Sequence, residues 1–230
     1  MLCFPHAGGA AGSFSPLAKE FTTDVEVHAV QYPGRMERRQ EPLCTSVEEL
    51  ADRIFAALGE LPDRPLGFFG HSMGATVAFE VAIRLERETG TGPLAVFVSG
   101  RRAPSTVRVE QVHEYDDKAL LAEMRSLDGT DSRVLADEEI LRMVLPTVRA
   151  DYRAIETYRC EPGARLACPV VALVGDADPK ATAAEVERWE AHTTGPFDMH
   201  VLPGGHFFLN AQRQAVSRIV DNHLNLLRCS

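Results

Sequence analysis

Short apolar runs alternate with amphipathic stretches along most of the chain. The runs are continuous, as in buried strands, and most of them end in loops rich in glycine, proline or aspartate. Between them, apolar residues recur three and four positions apart, as at Val47, Leu50 and Ile54 behind a capping box at Ser46. The predicted strands are 1–4, 25–30, 66–69, 94–99, 170–174 and 197–202. This alternation predicts an α/β protein with a mostly parallel sheet and helices on both faces.

The pentapeptide Gly70-His71-Ser72-Met73-Gly74 lies between an apolar run and a helical pattern that closes near Gly90. G-x-S-x-G in the order strand, turn, helix is typical of a nucleophile elbow, whose strained turn exposes the serine hydroxyl. The glycines leave room for that turn, and the first N–H groups of the helix point at the same spot. The pattern predicts Ser72 as a nucleophile, and an ordinary glycine-rich turn is the alternative.

The acid and the base that would activate Ser72 are expected after later strands of the predicted sheet, with two candidates for the acid. Asp176 and Asp178 come after 170–174, and His206 comes in a glycine-rich loop after 197–202. Open α/β sheets place their chemistry at the carboxyl ends of the strands, where all these residues fall. An imidazole takes the serine proton, and a carboxylate orients the imidazole. The chain order serine, acid, histidine is that of α/β hydrolases.

The base and the acid are each chosen among alternatives. His6, in the loop after the first strand, competes with His206 but precedes the serine, against that chain order. Asp178 lies farther out on its loop than Asp176 and is followed by Pro179, which fixes the backbone, so we favour Asp178. Three further aspartates fall in the long segment between the fourth and fifth strands and are discounted, namely Asp128, Asp137 and Asp151.

That long segment, about 105–165, exceeds what one crossover helix requires. A short amphipathic stripe surrounds Leu120 and Met124, and a longer one runs from Ile140 to Ile155 with a bend expected at Pro146. An insertion at the carboxyl end of the sheet would lie over Ser72. We therefore predict a helical lid within a single domain that spans 1–230, and additional packing helices are the alternative.

Charge and cysteine content narrow the possible partners. The chain has 230 residues and a net charge of −9, which argues against nucleic acid and anionic membrane surfaces. The hydrophobic share of 45% is ordinary for a globular protein, and no run approaches the length of a membrane span.

The five cysteines are scattered and predict reduced thiols in a cytoplasmic protein: Cys3, Cys44, Cys160, Cys168 and Cys229. The loop 5–12 lacks the patterns of a P-loop or a dinucleotide site.

Five segments together resemble type II thioesterases, the free-standing α/β hydrolases that work beside modular polyketide or nonribosomal peptide synthases. They are Phe4-Pro5-His6-Ala7-Gly8-Gly9, Gln31-Tyr32-Pro33-Gly34-Arg35, Gly70-His71-Ser72-Met73-Gly74, Ser99-Gly100-Arg101-Arg102-Ala103-Pro104 and Gly204-Gly205-His206-Phe207. The similarity extends over essentially the whole chain and is far more specific than the elbow alone. It implies an α/β-hydrolase fold with a helical lid, and a nucleophile, acid and base at Ser72, Asp178 and His206. Family members usually carry an extension before the first of these segments, so we expect a longer form of this chain.

The resemblance also implies the oxyanion donors and the substrate. The backbone N–H groups of Met73 and Ala7 would hold the oxyanion. The substrate would be an acyl group on the phosphopantetheine arm of a carrier protein, hydrolysed without a metal or an organic cofactor. We expect a monomer that edits stalled synthases. A small-molecule esterase, an acyltransferase or cyclase, and a catalytically silent binding module are the alternatives.

Basic residues near two of these segments are candidates for docking the carrier protein, because carrier proteins of this class are acidic. On an acidic chain such a group is either a docking patch or an ordinary solvated surface. The candidates are Arg35, Arg38, Arg39, Arg101 and Arg102.

Overall fold

A six-stranded sheet lies at the centre of the computed structural model, which describes residues 1–22, 25–59, 64–127 and 137–228. Its strands are β1 (Leu2–Phe4), β2 (His28–Ala29), β3 (Phe68–His71), β4 (Val96–Ser99), β5 (Val170–Gly175) and β6 (Phe197–Leu202). The spatial order is β2-β1-β3-β4-β5-β6, and every neighbouring pair is parallel. The predicted α/β class with a parallel sheet is confirmed.

Eight α-helices lie between and after these strands within the described part of the chain. They are α1 (Ser15–Ala18), α2 (Val47–Leu58), α3 (Met73–Thr89), α4 (Asp117–Ser126), α5 (Glu138–Thr157), α6 (Ala183–Glu187), α7 (Phe208–Ala211) and α8 (Arg213–Arg228). Short 3₁₀ turns lie at Ala11–Phe14, Met36–Arg38, Val112–Glu114 and Arg188–His192. Within the described ranges, no helix is both long and apolar enough to cross a membrane.

Local signals explain where two of the main helices begin and end. The Ser46 hydroxyl accepts a hydrogen bond from the Glu49 N–H at 3.2 Å and caps α2, as the predicted capping box requires. Helix α3 ends at Gly90, whose φ of +74° is the left-handed conformation that glycine adopts without strain. Its N–H bonds the Glu86 carbonyl at 2.9 Å. Both helices therefore occupy the predicted positions.

The sheet is buried on both faces because successive strand residues point to opposite sides. Phe68 of β3 belongs to one core cluster, with α2 and α3, whereas its neighbour Phe69 belongs to the other, with α8. Along β5, Val170 and Ala172 face the first cluster, and Val171 faces the second. A run that is apolar at every position is thus the expected sequence of a strand covered on two sides.

The second predicted strand is shorter than expected. Only His28–Ala29 pairs with β1, with Leu2 opposite His28 and Cys3 opposite Ala29. Strand β2 lies at the sheet edge beside the three-residue strand β1, and outside the paired residues the Met1 amino group still donates to the Glu26 carbonyl at 2.6 Å.

The long segment between β4 and β5 holds α4 and α5 and has a small core of its own. That core contains Val112, Leu120, Met124, Leu145 and Val148. Helix α5 continues through Pro146. Asp128 of this segment and Cys229 at the end of the chain lie outside the described residues.

Candidate active site

Ser72 occupies a strained turn between β3 and α3. Its φ of +55° and ψ of −121° are rare for a residue with a side chain. The turn is possible only because its neighbours are small, since a Cβ on Gly74 would lie 1.9 Å from the Phe4 carbonyl oxygen. A Cβ on Gly70 would lie 2.3 Å from the Gly74 carbonyl oxygen. The sequence G-x-S-x-G thus produces the sharp elbow that the motif predicts.

Three side chains from three strand ends meet at this elbow. His206 Nε2 lies 2.9 Å from Ser72 Oγ, and His206 Nδ1 lies 3.0 Å and 2.9 Å from the two carboxylate oxygens of Asp178. A carboxylate only accepts hydrogen bonds, so Nδ1 carries the proton and Nε2 of the neutral ring accepts from the serine hydroxyl. Asp178 and His206 are 6% and 4% exposed, which shields these bonds from water. The geometry is that of a serine activated by a base.

The two candidate acids have different positions. Asp178 contacts His206, and its Oδ1 also accepts the Lys180 N–H at 2.8 Å. Asp176 instead accepts the Gly204 N–H at 2.9 Å and thereby holds the loop that leads to His206. The structure therefore brings Asp178, and not Asp176, to the imidazole.

Ala7 and Met73 lie in the wall of the same cavity as Ser72 and His206. Met73 is the first residue of α3, so its N–H belongs to the free end of a helix, where negative charge is stabilised. Helix α5 contributes Tyr152, Ile155 and Glu156 to the same wall. The rest of the lining is Leu127 and four charged residues, namely Arg101, Arg102, Glu110 and Lys180.

Two neutral histidines surround the imidazole of His206. The ring of His71 lies 5.2 Å from that of His206, and the ring of His6 lies 6.0 Å from that of His71. Burial lowers the pKa of His6 to about 3 and lowers that of His71 well below its usual range. Both rings are therefore uncharged near neutral pH, and a proton taken up by His206 meets no fixed positive charge on them.

The loop that contains Ala7 is anchored by a residue that sequence reasoning discounted. Asp151 of α5 accepts the Gly8 N–H at 2.7 Å, and its carboxylate forms a buried ion pair with Arg35. Arg35 also donates to the Gly9 carbonyl at 2.8 Å. The sequence does contain a signal for the burial of Asp151. This residue falls three positions after Val148 and four before Ile155, on the buried face of α5.

The docking prediction is wrong for two of the five arginines, because their side chains are not at the surface. Arg35 is 7% exposed and paired as described, and Arg102 is 4% exposed and bound to Glu110 at 2.6 Å. A buried guanidinium held by a carboxylate is not available to a partner protein.

The other three arginines differ in their surroundings. Arg101 lies in the cavity wall. Arg38 binds both carboxylate oxygens of Glu41, at 2.7 Å and 2.6 Å, and Arg39 is exposed. Only Arg38 and Arg39 therefore remain as candidates for an external docking patch.

The parallel sheet and the hydrogen-bonded row of serine, histidine and aspartate together define an α/β hydrolase. Within that class, the chain belongs to the thioesterase domain family, whose model matches residues 1–224. This match, together with the relatives and the solved structure that follow, confirms the resemblance to type II thioesterases noted in the motifs.

Individual relatives agree with this family. The chain is 54% identical over 225 residues to the probable cadicidin biosynthesis thioesterase of Streptomyces griseus, covering 98% of this chain and 62% of that protein. It is 50% identical over 229 residues to the thioesterase PikA5 of Streptomyces venezuelae, covering 99% and 82% of the two chains. The solved structure of the type II thioesterase BorB from the borrelidin biosynthetic cluster has a TM-score of 0.90 and 47% identity, covering 97% and 91%.

Proposed function

We propose that this protein hydrolyses thioesters that link acyl groups to the phosphopantetheine arm of carrier proteins. The observation that supports this most strongly is the row of hydrogen bonds from Ser72 through His206 to Asp178 in a chain of the thioesterase family. The relatives support the biological setting, because BorB comes from the borrelidin biosynthetic cluster and the Streptomyces griseus protein is named for cadicidin biosynthesis. In that setting, the reaction removes stalled or incorrect acyl groups from a polyketide or nonribosomal peptide synthase.

The reaction proceeds in two halves at one serine. His206 Nε2 takes the Ser72 proton as Oγ attacks the thioester carbonyl, and Asp178 stabilises the imidazolium that forms. The tetrahedral oxyanion accepts hydrogen bonds from the N–H groups of Met73 and Ala7, each worth on the order of 3 kcal/mol. The carbon–sulfur bond then breaks, and the proton on His206 passes to the departing thiol. Water, deprotonated by the same histidine, hydrolyses the acyl-enzyme and frees Ser72.

The insertion at about 105–165 serves as the lid in this proposal. Two features support the assignment. Tyr152 and Ile155 of α5 form part of the wall around Ser72, and Asp151 of the same helix bonds the loop that carries Ala7. Movement of α5 would therefore alter both the access to the serine and the position of one oxyanion donor.

The partner is an acidic carrier protein, and the site of action is the cytoplasm, where such synthases work. Arg39 is exposed and supplies positive charge for docking on a chain whose net charge is −9, and Arg38, paired with Glu41, lies beside it. The protein acts as a monomer. No metal or organic cofactor takes part in the steps above.

Mass spectrometry of acylated carrier proteins tests the proposal. Carrier proteins loaded with short and long acyl chains are incubated with wild-type protein or with Ser72→Ala, and the acyl mass is followed with time. The expected result is loss of the acyl mass with wild type alone. Equal loss with both proteins, or none with either, would contradict the proposal.

A matched pair of small substrates separates a thioesterase from an esterase. A short acyl thioester and its oxygen ester are compared with the same wild-type protein. We expect a higher kcat/KM for the thioester, and a preference for the oxygen ester would favour a small-molecule esterase instead.

A further inference from the structure

Two histidines and an aspartate meet between β6 and α8, apart from the residues of the candidate active site. Asp198 and His200 are alternate residues of the edge strand β6, so both point to the face on which α8 packs, and His223 comes from α8. Asp198 Oδ2 lies 3.0 Å from His200 Nε2 and 3.1 Å from His223 Nε2. All three of these atoms lie within 4.8 Å of one another.

The contact that His223 Nδ1 makes determines whether Nε2 of the same ring carries a proton. Nδ1 lies 2.8 Å from the Ile219 carbonyl oxygen, which only accepts hydrogen bonds, so Nδ1 carries a proton. In the neutral ring Nε2 then has a lone pair, and it faces a carboxylate oxygen of Asp198 that also has lone pairs. A cation between the two atoms, or a second proton on the ring, removes this conflict.

His200 brings a second ring nitrogen to the same oxygen. Its Nε2 is buried and has no hydrogen-bond partner within the described residues, although it lies 3.0 Å from Asp198 Oδ2. A buried polar atom without a partner is costly, and a bound water or ion is one explanation of such an atom. Two ring nitrogens thus converge on one carboxylate oxygen, and the neutral ring of His223 has no proton on the nitrogen that faces it.

We propose that Asp198, His200 and His223 bind one divalent transition-metal ion, with Zn²⁺ as the physiological candidate. Two imidazoles and a carboxylate are donors that zinc prefers. Donor atoms on a tetrahedral zinc lie about 3.3 Å apart for bonds of about 2.0–2.1 Å, close to the two short separations here. The Nδ1–H of His223 donates to a backbone carbonyl, which is the usual outer contact of a metal-binding histidine.

A metal here would join the last strand of the sheet to the last helix. The Asp198 side chain is 52% exposed, so the ion can enter from solvent and keep water at its remaining position. The site shares no residue with the row that contains Ser72. The expected consequence of binding is therefore greater stability of the β6–α8 contact rather than a change in the chemistry.

Calorimetric titration of the full chain, without a histidine tag, tests the site with ZnCl₂ as the probe and MgCl₂ as its control. We expect one Zn²⁺ per chain, a rise in Tm of several degrees with zinc, and no response to magnesium. His200→Gln and His223→Gln should each weaken zinc binding by at least about 10-fold. The matched control is His28→Gln, which alters an edge-strand histidine beside Glu26 and should bind zinc as wild type does.

Circular dichroism checks that each variant is folded. If a histidine variant does not fold, Asp198→Asn tests the site instead, because asparagine has nearly the same shape as the aspartate that it replaces. Loss of zinc affinity in the site variants alone supports the proposal. Absence of zinc binding by wild type would overturn it. Equal zinc binding by wild type and all site variants would overturn it as well, because the ion would then occupy another place.

Discussion

Arg35 and Asp151 form a buried ion pair that holds together three distant parts of the chain. Their side chains are 6% and 3% exposed. Through Gly8 and Gly9 the pair fixes the loop that contains Ala7, and through Asp151 it ties that loop to α5 of the insertion. The pair therefore links the position of one proposed oxyanion donor to the helix that forms part of the cavity wall.

Breaking this pair should cost both stability and activity. Arg35→Met leaves the Asp151 carboxylate buried without its counter-charge, so we expect a loss of about 3–5 kcal/mol in the free energy of unfolding. Where the variant is still folded, kcat for an acyl thioester should fall about 10-fold or more, because the loop shifts relative to the oxyanion. Urea unfolding and steady-state kinetics measure the two effects.

An exposed pair of the same type provides the control. Asp117 bonds Arg149 at 2.8 Å and is 71% exposed, so Asp117→Asn should lose at most about 1 kcal/mol and keep full activity. Similar losses for Arg35→Met and Asp117→Asn would contradict a special role for the buried pair.

Two neighbouring aspartates should differ greatly in their effect on catalysis. Asp178→Asn removes the charge that orients His206, and we expect kcat to fall by about 10⁴. Asp176→Asn keeps an oxygen that can accept the Gly204 N–H, so kcat should stay within about 10-fold of wild type. Single-turnover acylation by a thioester measures both, and the reverse ranking would assign the acid role to Asp176.

Acidification should destabilise the protein through His6. Its pKa is about 3 in the folded state, against an ordinary value of 6.5, because burial disfavours the charged ring. Between these pH values the unfolded chain binds one proton more at this residue, so the free energy of unfolding falls by about 1.4 kcal/mol per unit as the pH decreases. Above pH 6.5, the ring is neutral in both states and the free energy of unfolding no longer depends on pH through His6. His71 acts in the same direction.

Urea unfolding at a series of pH values between about 4 and 7 measures this dependence. His6→Gln does not titrate, so its unfolding free energy should decline less steeply with falling pH than that of wild type. Parallel pH profiles for the two proteins would show that the pKa of His6 is the same in the folded and unfolded states.

Charge reversal at the surface should affect only the large substrate. Arg39→Glu places a negative charge where an acidic carrier protein is proposed to dock, so KM for acyl-carrier substrates should rise several-fold while kinetics with an acyl thioester of a small thiol stay unchanged. Arg213→Glu, at another exposed arginine, is the matched control and should leave both unchanged. An equal rise in KM for both substrates would remove the docking role.

Features encoded by adjacent residues were predictable from the sequence. The elbow follows from two glycines that leave no Cβ beside Ser72, and the two-sided sheet follows from strands that are apolar at every position. His206 could be selected from chain order and its place after a strand. The contact with Ser72 then follows because parallel strands bring their carboxyl ends to one edge.

The partners of buried charges were not predictable in this way, and Arg35 is the clearest case. A charged residue is expected at the surface because its burial is unfavourable, and that expectation reverses only when an opposite charge meets it in the interior. Asp151 lies 116 positions away along the chain, and no local pattern joins the two. The fold class and the residues that gather around Ser72 thus follow from patterns along the chain. Which charges are buried together does not, because burial depends on contacts between segments that are remote in sequence.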